Sequence, residues 1–383
     1  MERTYFNDSK YRAAQLVSET VEIHFAQHLA VAKERGEDNL APEPSAHIIE
    51  SIIDAGFWAS LRREEGRSPR ISIAYLPPQH SGTSSLLEHR IPLTPDTLTK
   101  LSPGLERPGV YLGVWNENDT LYIWGTTLKI PDLCFVLDVS EPALLVIKHK
   151  RTNGYGKFSN VAVLSGDQIK IIDENNSTVP ESREIIRSLL GYTTSASWSH
   201  SMSLLVQLGV SMRAHKRGGT LLIVPEGTDR WRRSILHPIK YAITPAYSGL
   251  AELMQKEETE RSKSTWQASL RSELDSLAGL TAIDGATVIS DQFELLAFGA
   301  KIGRLDNTRV EQIFVHEPIL GSEPTITNPS QNGGTRHLSA AQFVYDQRDA
   351  LALVASQDGL FTIFTWFPEK EMVQAYRIDA LLL

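Results

Sequence analysis

Apolar residues near the N-terminus recur at helical spacing. Between Tyr11 and Lys33 they form one stripe, with acidic positions beside it, which predicts an amphipathic helix. The turn-forming tract GEDNLAPEPS, residues 36–45, follows, and its last residue, Ser45, is a candidate N-cap for a second helix that continues to a glycine stop at Gly66. The apolar positions of this second helix suit packing against a sheet.

Between residues 71 and 173 the apolar period changes to two. Pairs of apolar runs are separated by short polar turns: VYLGVW-NEND-TLYIWG, LCFVLD-VSEP-ALLVIK and NVAVL-SGDQ-IKIID. This pattern predicts consecutive hairpins of an antiparallel sheet. We therefore expect a β-rich α+β domain covered by the second helix.

The second half of the chain alternates helical and strand patterns. The expected elements are a helix from about Ser182 to Lys216, a strand from Thr220 to Pro225, a long helical region from Ser248 to Ala278, the apolar runs FELLAFGA and EQIFV, a helix after the glycines at 333 and 334, and a final hairpin DALALVAS-QDG-LFTIFTW. The alternation predicts an α/β (α+β) fold in which helices flank a mixed central sheet. The polar tract 174–182 separates the two halves, which suggests domains 1–180 and 181–383.

Composition and charge narrow the functional classes. The net charge is −8 and the isoelectric point is near 5.8, which argues against duplex nucleic acid as the main partner. The single cysteine, Cys134, lies in the apolar run LCFVL and fits a buried thiol in a reducing compartment. There is no signal-peptide pattern and no apolar run of membrane-spanning length. We expect a cytoplasmic protein that does not bind membranes.

The first chemical candidate is the corner QNGGTRHLSAAQF, residues 331–343. Glycines at 333 and 334 permit positive φ and close approach of a ligand. Thr335, Arg336 and His337 then fall at the start of a helix, where unpaired backbone N–H groups favour an anion. The corner fits a phosphate cradle, although two glycines before a helix also make an ordinary turn and cap.

The second candidate is IDGA, residues 283–286. Asp284, followed by the small residues Gly285 and Ala286, can present a carboxylate at the opening of a strand, where a nucleotide or metal ion has room. An Asp-Gly pair is also a common turn. Together with the phosphate cradle, an aspartate that binds a divalent ion and activates a ribose hydroxyl would form a nucleotidyl-transfer site.

Four ordered motifs resemble the diadenylate cyclase family over roughly residues 195–383. They are GGTLLIVP (218–225), DGA (284–286), GTRH (334–337) and VAS-QDG (354–359). The resemblance implies that two ATP molecules are joined into cyclic di-AMP with release of pyrophosphate, that Mg²⁺ or Mn²⁺ is the cofactor, and that a homodimer or higher homo-oligomer is the working form. A two-fold assembly also suits a reaction between two like nucleotides.

The resemblance also assigns site residues. It implies that Asp284 binds the metal and activates the 3′-hydroxyl, and that Arg336 and His337 act on the phosphates. The residues it implies for ATP binding are Gly285, Ala286, Gly334, Thr335, Ser339 and Ser356.

This chain departs from the family pattern at three places. Leu338 stands where the family has a second arginine, Gln357 stands where a glutamate is usual, and the segment between DGA and GTRH is long enough to hold an inserted loop. Loss of one donor to developing charge costs on the order of 10²-fold in rate. The alternative is therefore a catalytically degenerate nucleotide-binding sensor or scaffold.

The N-terminal half resembles, more weakly, the sensor-like region that precedes some bacterial domains of this type, on the stretches FWASLRREEGR (57–67) and ISIAYLP (71–77). The charged residues at 62–67 fit either an anionic ligand or a solvated helix end. His24 and His28 share a helix face at i, i+4 spacing. No third ligand is adjacent in the sequence, which argues against a metal site there.

Overall fold

The computed structural model describes residues 10–82, 84–107, 109–117, 120–152, 158–173, 196–261, 263–305, 309–331, 333–357 and 359–382. Contacts divide the chain into two compact units, residues 1–173 and 174–383. The domain boundary predicted at 180 and 181 lies outside the described residues, as does the first part of the helix predicted from Ser182.

Unit one contains a large sheet with helices against it. Its helices are α1 Arg12–Glu34, α2 Ala46–Ser60 and α3 Pro95–Leu101. Its strands are β1 Ile71–Tyr75, β2 Ser84–Pro92, β3 Tyr111–Glu117, β4 Thr120–Thr127, β5 Phe135–Glu141, β6 Leu144–Lys150, β7 Phe158–Ser165 and β8 Gln168–Ile171. The eight strands are ordered β2-β4-β3-β1-β5-β6-β7-β8. The three predicted hairpins, β3–β4, β5–β6 and β7–β8, are confirmed as antiparallel pairs. The prediction that the whole sheet is antiparallel is wrong, because β1 pairs parallel to β3.

Helices α1 and α2 supply one side of the main core of unit one. Val17, Val21 and Phe25 of α1 are fully buried, at the spacing that the sequence pattern predicts. Helix α2 approaches the sheet so closely that a methyl on Gly56 would come 2.7 Å from the Leu137 side chain. The prediction that α2 continues to Gly66 is wrong, because reciprocal backbone hydrogen bonds between Glu64 and Arg67 form a turn instead.

Unit two also holds a mixed sheet between helices. Its helices are α4 Ala196–Ala214, α5 Gly249–Met254, α6 Glu258–Arg261, α7 Ser264–Leu280 and α8 Thr335–Asp346. Its strands are β9 Gly219–Val224, β10 Tyr241–Tyr247, β11 Ala286–Ser290, β12 Leu295–Ala300, β13 Ile313–His316, β14 Thr325–Thr327, β15 Leu351–Ala355, β16 Phe361–Phe367 and β17 Met372–Arg377. The region predicted as one long helix from Ser248 to Ala278 is three helices, α5 to α7.

The nine strands are ordered β10-β12-β11-β9-β15-β16-β17-β13-β14. Strand β9 runs parallel to β11, and β13 runs parallel to β17, while the other neighbours are antiparallel. The predicted fold class is confirmed. The segment expected to be an inserted loop before the glycine corner contributes two paired strands, β13 and β14.

Helices cover both faces of this sheet. Ala340, Phe343 and Val344 of α8 share a core with strands β9, β11 and β15 to β17. On the other face, a methyl on Gly209 of α4 would come 2.9 Å from the Phe361 ring. No helix in the described ranges has the length and apolar character needed to cross a membrane.

Candidate functional site

Strand register brings the two predicted motifs to one end of the sheet in unit two. Ala286, the first residue of β11, pairs with Thr220 near the start of the parallel strand β9. The antiparallel strand β15 ends beside that start, since Ala355 pairs with Gly219. Residues just before β9 and β11, and just after β15, therefore lie at one end of the sheet, which we call the site edge. That edge holds the predicted site residues Asp284 and Ser356.

Asp284 presents an exposed carboxylate at this edge. Its side chain is 92% exposed and forms an ion pair with Lys301, the residue that follows β12. The hydrogen bond and positive charge of Lys301 lower the pKa of Asp284, and the charge of Arg336 lowers it further. The carboxylate is thus ionised at neutral pH and lies within the field of the predicted phosphate-binding arginine.

Gly285 is required by the backbone. Its φ is +115°, and a methyl there would come 2.5 Å from the carbonyl carbon of Gly299 on β12. Because of this positive φ and this short distance, any residue other than glycine would strain the backbone here. Ala286 is 1% exposed and its side chain packs in the core under α8. The contact predicted between Ala286 and a nucleotide is therefore restricted to its backbone.

The predicted helix after the glycine corner is confirmed, and α8 begins at Thr335. Gly334 is its N-cap, with an ordinary φ of −78°. Of the two glycines that permit positive φ, only Gly333 adopts it, with a φ of +145°. Thr335 and Arg336 are exposed in the first turn, where backbone N–H groups point out of the helix.

Arg336 lies across the start of β9. A methyl on Gly218 would come 3.0 Å from an Arg336 guanidinium nitrogen and 3.1 Å from the Ala355 carbonyl oxygen. Gly218 has a φ of +69°, so this close approach and the turn both favour glycine. Within the described residues, Arg336 forms no ion pair with a carboxylate.

His337 is buried rather than open to the site edge. It is 2% exposed, its Nε2 lies 3.2 Å from the Thr362 hydroxyl, and its ring meets Phe364 edge to face. A methyl on Gly333 would come 2.5 Å from Nδ1. Burial, followed by the charges of Arg377 and Arg336, lowers the pKa of His337 to about 4. A neutral imidazole in this position supports the corner from inside, in place of the direct phosphate contact expected from the sequence.

The two serines also have internal partners. Ser339 donates its hydroxyl to the Arg336 carbonyl oxygen at 3.1 Å, which keeps it within the first turns of α8. The Ser356 hydroxyl accepts from the Leu360 N–H at 3.1 Å and closes the β15–β16 turn. Both residues lie near the corner, and these hydrogen bonds shape the local backbone.

The structure describes Leu338 and Gln357, two positions at which this chain differs from the family pattern. Leu338 is partly buried against the core under α8, which suits an apolar residue better than an arginine. Gln357 is exposed, and its amide lies 3.4 Å from the Arg217 carbonyl oxygen. Neither position supplies charge to the site edge.

Sequence reasoning missed Lys301, Thr362 and Arg377. Each joins the site through strand register: Lys301 follows β12, and Thr362 pairs with Arg377 across β16 and β17. The strand-like pattern around Lys301 was visible, whereas the partner of each strand was not.

The charged turn and the histidine pair of unit one also acquire contacts. Arg62 pairs with Asp96 at 3.0 Å, at exposed positions, which fits the solvated helix end. A third histidine does approach the pair, because the His149 ring on β6 lies 5.5 Å from that of His24 and 5.7 Å from that of His28. Within the described ranges, however, no group of three metal-binding side chains is arranged to hold an ion.

A comparison with family models matched residues 38–128 to a family described as "Probable sensor domain DACNV". Residues 38–128 are thus similar to a sensor domain, and the resemblance expected for the N-terminal half is confirmed over that range. No cyclase catalytic model matched the chain. A search of curated proteins found no match.

Proposed function

We propose that unit two binds ATP and, as a dimer, condenses two ATP molecules into cyclic di-AMP and two pyrophosphates. The observation that carries this proposal is the meeting of Asp284 and Arg336 at one end of one sheet, beside the N-terminus of α8. The two residues come from motifs that are far apart in the chain, yet the charge of Arg336 acts on the Asp284 carboxylate. Phosphoryl transfer requires a carboxylate that can hold a metal ion and a guanidinium that can bind phosphate. Asp284 offers the first, and Arg336, which forms no ion pair within the described residues, offers the second.

Arg336 is the proposed phosphate ligand. Its planar guanidinium can donate two parallel hydrogen bonds to phosphate oxygens, and the first-turn N–H groups of α8 add further donors. The same donors stabilise negative charge as pyrophosphate leaves. Neutral His337 holds Arg336 and Gly333 in place from the core side.

The side chains present fit a divalent ion that arrives with the nucleotide. Asp284 is exposed and its pKa is lowered, so it offers an ionised oxygen ligand. Mg²⁺ is commonly held by one or two carboxylates together with substrate phosphates and water. When bound, the ion would lower the pKa of the attacking 3′-hydroxyl and neutralise phosphate charge. For Asp284 to serve as a ligand, the Lys301 ammonium has to leave it.

Unit one is the proposed regulatory part. Its match to a sensor family over residues 38–128 supports a role in which a signal bound there alters turnover in unit two. The working assembly is a homodimer, because each ATP must supply one attacking hydroxyl and one reacting phosphate.

A second candidate function is nucleotide binding without turnover. It is favoured by the packing of Leu338 against the core and by the exposed Gln357, which leave the site with fewer charged groups than the family pattern has. A protein of this kind would bind ATP or cyclic di-AMP in calorimetry and release no pyrophosphate.

Chromatography of a reaction with ATP and Mn²⁺ tests the proposal. The wild-type protein should form cyclic di-AMP and pyrophosphate, and Asp284→Ala should abolish product. The matched control is Asp291→Ala, because Asp291 is exposed and follows the opposite end of β11. Equal product from wild type and Asp284→Ala would refute the site. ATP binding with no product from wild type would establish the second candidate.

A further inference from the structure

Arg377 lies on the same face of the sheet as the glycine corner. It is the last residue of β17 and pairs directly with Thr362 of β16, so both side chains project from one face. The Thr362 hydroxyl contacts His337 Nε2 at 3.2 Å. Arg377 therefore lies beside the residue that supports the N-terminal turn of α8.

The rest of β17 supports this orientation. Val373 and Ala375, four and two residues before Arg377, belong to the core shared with α8, and side chains alternate along a strand. Tyr376 projects to the other face, where its ring meets His316. Arg377 is thus the last residue on the buried face of β17, at the site edge, and its side chain is half-buried.

Two guanidinium groups, those of Arg336 and Arg377, lie near His337 at this corner. The charges of both Arg377 and Arg336 act on His337. In the described part of the chain, neither arginine forms a salt bridge with a carboxylate. Like charges brought close together repel one another, and a polyanion bound between them would offset that repulsion.

We propose that Arg377 is the second phosphate-binding guanidinium of this site and takes the role that Leu338 cannot fill. The inference rests on the proposed function, since it concerns the same ATP site. The family pattern places the second phosphate-binding arginine on α8. In this chain we assign that role to Arg377 on strand β17. Arg377 contacts the polyphosphate chain of ATP, and the nucleoside makes no contact with it.

Calorimetry on the full-length protein tests this assignment with ATP, inorganic tripolyphosphate and adenosine as separate probes. Arg377→Met should weaken ATP and tripolyphosphate binding by about ten- to a hundredfold, which is the usual worth of a charge-assisted hydrogen bond. Adenosine binding should not change. Arg377→Lys keeps the charge but loses the planar fork, so its loss should be smaller.

The control variant is Arg348→Met. Arg348 follows α8 and lies over the Trp366 ring at 4.2 Å. Trp366 pairs with Val373, so this cation lies over the same two strands at their other end. Removing the charge there should leave all three affinities unchanged.

Different failures separate the inference from the proposed function. If the wild-type protein does not bind ATP, the proposed function and this inference are both wrong. If the wild type binds ATP and Arg377→Met binds it equally well, only the inference is wrong. Should Arg377→Met fail to fold, an unchanged tripolyphosphate affinity in Arg377→Lys would overturn the inference. Recovery of ATP affinity in Leu338→Arg, Arg377→Lys would support it.

Discussion

Substitution of His24 by leucine should remove much of the acid sensitivity of unit one. The His24 ring on α1 stacks on that of His28, with centroids 4.1 Å apart, and lies 5.5 Å from that of His149. Burial, followed by the charges that His28 and His149 can carry, lowers the pKa of His24 from 6.5 to about 2. The folded unit therefore keeps this imidazole neutral over the whole mildly acidic range.

The pKa difference sets the sign and size of the effect. Below pH 6.5 the unfolded chain binds a proton at His24 that the folded chain does not bind. The free energy of unfolding must then fall as the pH falls, by about 1.4 kcal/mol per pH unit. Between pH 6.5 and 5.0 the loss from this one group is about 2 kcal/mol, a large share of the usual stability of a domain.

The protein is unfolded in urea at several pH values. At each urea concentration a pulse of hydrogen exchange, always at the same labelling pH, measures how far the peptides of α1 are unfolded. Peptides from α1 report on unit one separately from unit two. His24→Leu should flatten the dependence on pH by about 1.4 kcal/mol per unit. His80→Leu, at an exposed position, should keep the wild-type slope. A His24→Leu slope equal to that of wild type, or a His24 imidazole that titrates near pH 6.5 in the folded protein, would refute the reasoning.

Two further predictions concern single positions. Gly285→Ala places a methyl 2.5 Å from the Gly299 carbonyl carbon at a φ of +115°, so it should cost about 2 kcal/mol or more in a denaturation curve and lower ATP affinity. Gly279→Ala lies in α7 with nothing within 4 Å of the added methyl, so it is the control that should lose no stability. Cys134 is fully buried, and burial raises the pKa of its thiol. A thiol reagent should therefore label Cys134 only after unfolding. Rapid labelling of the native protein would contradict the burial of Cys134.

Much of the fold was predictable because burial shapes the sequence pattern. The hairpins of unit one alternate apolar and polar residues, and the start of α8 is marked by Gly333 and Gly334. Strand β10 escaped prediction because it is largely exposed, which removes the alternation that marks a half-buried strand. The apparent long helix from Ser248 breaks into three because local turns end each segment.

The site was predictable in its motifs and unpredictable in its surroundings. The pairing of Asp284 with Lys301 and the approach of Arg377 both depend on strand register, which a single sequence does not reveal. The burial of His337 depends on the positive φ of Gly333 and on Thr362 beneath the helix. The third histidine near His24 is likewise supplied by a strand, at a large separation along the chain.

The proposed function requires that Asp284 and Arg336 act on one bound triphosphate. The most direct test is a crystal structure of the protein with a non-hydrolysable ATP analogue and Mn²⁺, with the anomalous signal of manganese used to locate the ion. Manganese is expected at the Asp284 carboxylate, and phosphate oxygens are expected at the Arg336 guanidinium and the first turn of α8. A nucleotide bound elsewhere, or manganese with no contact to Asp284, would contradict it.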